Sequence, residues 1–220
     1  MNIVLMFLEI IIVSLSLMIF LKKYKYDGLY TWMLMFSLII GIISQKTVEI
    51  FELEVNLGIV INSLMFVVSN IIIQKKGPNE IKKIITIVLM SNIVLYLFSL
   101  LSNAINISEI NEISNSSFNQ LLNLNNRTYF ATIIAMIISL YINSVLYHQI
   151  RQIKNKIWIS NILSTIIINL IESTLFCVIA YTTKISPINI IELIVIRYMF
   201  KTTLGILGTN IIYISTKFER

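Results

Sequence analysis

Residues 157–181 read IWISNILSTIIINLIESTLFCVIAY, a run in which Glu172 is the only acidic or basic residue. Its length matches the roughly 20 apolar residues, at about 1.5 Å each, that carry a helix across about 30 Å of hydrocarbon. Only helices and closed barrels satisfy every backbone group in lipid, and an unbroken apolar run lacks the alternation that a barrel strand needs. The stretch therefore predicts a transmembrane helix. Comparable runs lie near 2–21, 29–47, 56–74, 82–102, 129–149 and 188–214. The expected fold is all-α, a polytopic membrane protein of about seven helices in one bundle. Residues 1–220 form a single domain in this reading, with an extra first helix at 2–21 ahead of a six-helix core at about 29–214.

Composition agrees. The chain is 57% apolar and 13% charged, with a mean hydropathy of +0.85; soluble domains are about 45–50% apolar and about 25% charged. No basic residue precedes the first run and no small-residue cleavage site follows it, so that run reads as a retained helix. Charge in the connections sets an expected orientation. Lys22, Lys23 and Lys25, then Lys75, Lys76, Lys82 and Lys83, then Arg151, Lys154 and Lys156, and finally Lys217 and Arg220 all fall on one side. The opposite connections carry Glu49, Glu52, Glu54, Glu109 and Glu112, with isolated Lys46, Arg127 and Lys184. Cytoplasmic loops are the basic ones, which puts the N-terminus outside and the C-terminus inside a cell membrane. The net charge of +6 follows from this asymmetry, so no nucleic-acid partner is expected; the surroundings are a lipid bilayer.

Polar residues inside the spans recur at helical spacing. Asn161, Thr165, Asn169 and Glu172 share one face, as do Arg197, Lys201, Gly205 and Gly208; Thr132, Ser139 and Asn143; and Ser63, Asn70 and Gln74. Four helices thus each turn one polar stripe to a shared interior. The plain alternative for each amide or hydroxyl is hydrogen bonding between helices, at about 0.6 kcal/mol apiece. Glu172, Arg197 and Lys201 are different, because a charge at mid-membrane costs at least about 2.5–3.5 kcal/mol. Glu172 is expected to meet Lys201, Arg197 or both, either as a structural ion pair or as part of a binding site. His148, next to the basic 151–156 connection, reads as an interfacial residue. Cys177 reads as a small core hydrophobe. One histidine and one cysteine build no common metal or nucleophile site, and GxSxG, GxxxxGK[ST], HExxH and CxxC are absent. No metal, no cofactor and no enzymatic activity are expected.

The order of the motifs resembles the queuosine precursor transporter family, also called the vitamin uptake transporter family, from about Gly28 to Tyr213. Gly28-Leu-Tyr-Thr-Trp32 with Lys46-Thr47-Val48 resembles its second helix, and Leu57-Gly58, Phe66 and Gly77 its third. Arg127 precedes Asn143 as arginine precedes aspartate in the family, with Ser139 and Leu146-Tyr147-His148 in step. Trp158, Ser164-Thr165, Asn169, Glu172-Ser173 and Leu175-Phe176 follow its Trp-x(5)-Ser-Thr-x(3)-Gln-x-x-Asp helix. Tyr198, Lys201, Gly208-Thr209-Asn210 and Tyr213 follow its ending. The chain departs from the family pattern at Asn70, Gln74, Asn143 and Gly208, where the family carries acids.

The resemblance implies uptake of a purine-like small molecule, a 7-deazaguanine such as preQ0, preQ1 or queuine. A carboxylate such as Glu172 accepts from the two adjacent donors of a guanine edge, a carbonyl takes a donor from Asn143, Asn169 or Lys201, and Phe66 or Tyr198 offers a stacking face. The candidate substrate-binding residues are Asn70, Gln74, Asn143, Asn169, Glu172, Arg197 and Lys201. Competing readings are a substrate-capture subunit working with a separate energising module, a lipid-directed intramembrane enzyme, and a scaffold; a homodimer is a further option for partners.

Overall fold

The computed structural model describes residues 2–50, 53–105 and 127–217; most of the long polar connection at 103–126 lies outside them. The element order is α1 (Asn2–Ile43), β1 (Thr47–Ile50), β2 (Leu53–Asn56), α2 (Ile59–Lys76), α3 (Asn79–Ala104), α4 (Arg127–Ile153), α5 (Ile157–Tyr181), α6 (Pro187–Leu207) and α7 (Thr209–Lys217).

α1 contains both of the first two expected spans. Its backbone leaves the helical region at Lys25, where φ is 53° and ψ is −132°. Trp32 Nε1 donates to Ser16 Oγ at 3.0 Å. In a straight helix those residues would stand about 24 Å apart, so the two arms of α1 fold back on each other at Lys25. Gly28 sits in the turn, where any Cβ would collide with the Phe20 carbonyl.

Two expectations need correction. The run at 29–47 ends as helix at Ile43, and the chain then forms an antiparallel hairpin that pairs Val48 with Val55 and Glu49 with Glu54. β-Branched Thr47, Val48, Ile50 and Val55 alternate there with the acids, a strand pattern rather than a helical one. Asn56 anchors the hairpin by donating to the Ser44 carbonyl, and the Leu57 N–H reaches the Lys46 carbonyl at 2.9 Å. The run at 188–214 is broken at Gly208 into α6 and α7. Glycine is a poor helix former, and here a Cβ would lie 2.7 Å from Val67 Cγ2 of α2.

Among the described residues, five helices, α1 to α5, are long and apolar enough to cross a membrane. The expected seven is not matched on that measure: α1 counts once with both arms, and α6 carries Glu192, Arg197 and Lys201. α2 runs through the middle of the bundle. It is buried from Ile59 to Ile73 and packs against α1, α3, α4, α5, α6 and α7. Its Leu64, Met65, Val68 and Ile72 join Leu17, Trp32, Met33 and Ile40 of α1 and Met136 and Leu140 of α4 in the main core. Outward faces are apolar too, with Phe7, Ile12, Val94, Phe98, Leu101 and Leu170 exposed, as a lipid-facing surface requires.

Candidate functional site

Two polar clusters occupy the interior. The first is ionic. Glu172 lies nine residues short of Tyr181, about 14 Å along α5 at the helical rise, and is fully buried. Lys201 Nζ pairs with its Oε2, and Arg197 Nη2 stands 3.5 Å from its Oε1. Asn62 Nδ2 of α2 donates to the same Oε1 at 2.9 Å. Lys201 has no exposed surface and Arg197 has 5% of its side chain exposed. The guanidinium of Arg197 lies 3.7 Å from the centre of the Phe176 ring, and Lys201 Nζ lies 5.5 Å from that of Phe66. Spacing along α6 explains the geometry: Arg197 and Lys201 are four residues apart and occupy one face. Two cations therefore share one carboxylate among the described residues.

The second cluster is a chain of amides. Asn143 Nδ2 of α4 donates to Ser69 Oγ and to Asn70 Oδ1 of α2, each at 2.8 Å. Asn70 Nδ2 donates in turn to Asn161 Oδ1 of α5 at 2.8 Å. Asn161 Nδ2 donates to Thr209 Oγ1 at 2.8 Å and to the Gly205 carbonyl at 3.3 Å. That last contact takes up a backbone acceptor next to the α6–α7 break, which lipid could not satisfy. Gln74 stands one turn beyond Asn70 and accepts from Tyr147 Oη at 3.2 Å.

Between the clusters, α5 carries Thr165 and Asn169. Thr165 Oγ1 and Asn169 Oδ1 are buried without a hydrogen-bond partner, as is Ser139 Oγ on α4, one turn before Asn143. Native interiors pair nearly all such atoms, so each unpartnered oxygen marks a place for a ligand or water to bond. Every one of these side chains is within a few per cent of complete burial, so this region is closed to the outside.

Of the residues singled out from sequence, Glu172, Arg197 and Lys201 meet in one cluster, and Asn70 and Asn143 meet in the other. Asn169 lies between them, and Gln74 sits apart with Tyr147. Asn62 was not singled out. It precedes Phe66 and Asn70 by four and eight residues, so a helical count back from Asn70 reaches it. No group of three or more His, Cys, Asp or Glu suited to a metal occurs among the described residues.

The family model described as "Putative vitamin uptake transporter" matches residues 56–215, from the end of the hairpin through most of α7. The chain belongs to the vitamin uptake transporter family. Membership places it among multi-pass membrane proteins of the uptake class. All seven candidate residues and Asn62 fall inside the matched part of the family, whereas α1 and β1 lie ahead of it. Neither a curated protein nor a solved structure matches the chain significantly.

Proposed function

We propose that this vitamin uptake transporter family member carries a queuosine precursor, a 7-deazaguanine such as preQ0, preQ1 or queuine, into the cytoplasm. The observation that carries the reading is the buried Glu172 carboxylate, flanked by Lys201, Arg197 and Asn62 and followed along α5 by the unpartnered oxygens of Asn169 and Thr165. A guanine-type edge offers adjacent N–H donors to Glu172 and a carbonyl to the surplus cation, and its remaining ring nitrogens suit amide partners. Asn70, Asn143, Asn169, Glu172, Arg197 and Lys201 are assigned to the substrate, with Gln74 at the cytoplasmic end of the path. The basic connections support an N-terminus outside and a C-terminus in the cytoplasm. Binding of preQ0, preQ1 and queuine to the purified protein, followed by uptake into proteoliposomes, tests the reading. Saturable binding of at least one supports it. No binding of any of the three, alongside binding of an unrelated vitamin, would overturn it.

A further inference from the structure

A cavity among the described residues lies where the first arm of α1 meets the hairpin and α2. It measures about 290 Å³ and is bounded by Leu5, Met6 and Glu9 of the first arm of α1, Lys46 and Val55 of the hairpin region, and Val60 of α2. Its walls are mostly apolar, yet the half-buried Glu9 lines it, and Glu9 Oε1 has no hydrogen-bond partner. Lys46 lines the same cavity but is exposed to its surroundings, and the two form no salt bridge among the described residues. A carboxylate oxygen held out of water with no donor is costly, and the chemistry that relieves it is a cationic amine or a pair of N–H groups. The volume is close to the lower end of small-molecule cavities, about 300 Å³.

The position of the cavity gives it a role. Val55, Ile59 and Val60 pack against Ile196 and Leu204 of α6. Asn62, which holds Glu172, is three residues along α2 from Ile59, about 4.5 Å of rise. Arg197 directly follows Ile196 in the chain. The cavity is thus separated from the ion cluster by one turn of α2 and by the packing of Ile59 and Val60 on Ile196.

We propose that this cavity is a separate capture site, in which Glu9 takes the cationic or N–H-donating group of the solute before the solute reaches Glu172. It rests on the uptake reading above, and it assigns a binding residue ahead of the part of the chain that matches the family model.

The test uses the full-length protein in liposomes with Cys177→Ala and a single new thiol, Leu57→Cys, on the cavity wall. Modification rates are compared for a methanethiosulfonate carrying trimethylammonium and one carrying sulfonate. The cationic reagent should react at least about tenfold faster, and Glu9→Gln should reduce that preference by about tenfold, as expected for one unscreened charge at close range. Val48→Cys repeats the measurement on a second wall in case the first variant fails to fold. Equal preference with Glu9 and with Glu9→Gln overturns the proposal. In a second arm, preQ1, whose aminomethyl group is cationic, should slow labelling in the Glu9 protein and not in Glu9→Gln. A charge preference that depends on Glu9 without protection by preQ1 leaves the capture site standing and removes preQ1 as its solute.

Discussion

Asn62 and Glu172 are joined across the bundle by a hydrogen bond of 2.9 Å, so the buried carboxylate is held from α2 as well as from α6. Both of its oxygens are engaged, Oε1 by Asn62 and Arg197 and Oε2 by Lys201. A solute that bonds to Glu172 must therefore share or displace these donors, which makes the acid sensitive to small changes in length and charge.

Glu172→Gln should weaken solute binding by roughly ten- to a hundredfold, since losing a charged hydrogen bond costs about 1.5–3 kcal/mol. Glu172→Asp keeps the charge and shortens the reach, so it should retain more binding than the amide. Isothermal titration on both variants decides the point, and wild-type affinity in Glu172→Gln would make the acid purely structural.

The two cations should not be equivalent. Lys201→Met removes the cation that has no exposed surface and leaves Glu172 with Arg197 at 3.5 Å, a loss of about 3–5 kcal/mol for a broken buried pair. Arg197→Met leaves the Lys201 pair intact and forfeits chiefly the Phe176 ring contact, worth about 0.5–2 kcal/mol. Thermal unfolding in detergent should rank Lys201→Met as the less stable variant; the opposite order would place the main pairing on Arg197.

Asn70 is the middle of the amide chain, and Asn70→Leu takes the donor from Asn161 Oδ1 and one of two acceptors from Asn143, which keeps Ser69 Oγ. Leaving a buried polar group such as Asn161 Oδ1 unpaired costs about 1–3 kcal/mol. A lowered unfolding temperature is expected, larger than that of Ser139→Ala, whose hydroxyl has no partner to lose. Equal effects of the two substitutions would remove the chain from the account of stability.

The orientation inferred from the basic connections is checked by thiol labelling of intact cells. A cysteine at Ser114 should react with a membrane-impermeant reagent and one at Lys154 should not, while native Cys177 stays silent because it is buried. Reaction at both sites, or only at Lys154, would reverse or abolish the assignment.

Some of this architecture is readable from the residues and some is not. The bounds of α5 coincide with the apolar run 157–181, because charged Lys154 and Lys156 precede it and Thr182, Thr183 and Lys184 follow it. The hairpin is hidden, since its strands are four residues each and abut an apolar run with no proline or glycine between them. The break at Gly208 is hidden as well: Ile206, Leu207, Ile211 and Ile212 continue the apolar pattern across it, and only the close approach to Val67 gives the glycine its meaning. The ion cluster is legible because charge in lipid is costly enough to demand a partner. Asn62 is harder to see, because one more asparagine in an asparagine-rich chain carries little signal until Glu172 is found beside it.

The surplus positive charge around Glu172 also has an electrical consequence. If the cluster faces the two sides of the membrane in turn, a net elementary charge moves through part of the field with each turnover, at about 2.3 kcal/mol per 100 mV for a full crossing. Uptake should then respond to membrane voltage, with a sign set by the charge of the solute. Transport into proteoliposomes across potassium–valinomycin gradients of either polarity would read it directly. Rates independent of the gradient would mean that the extra charge is cancelled before the protein moves.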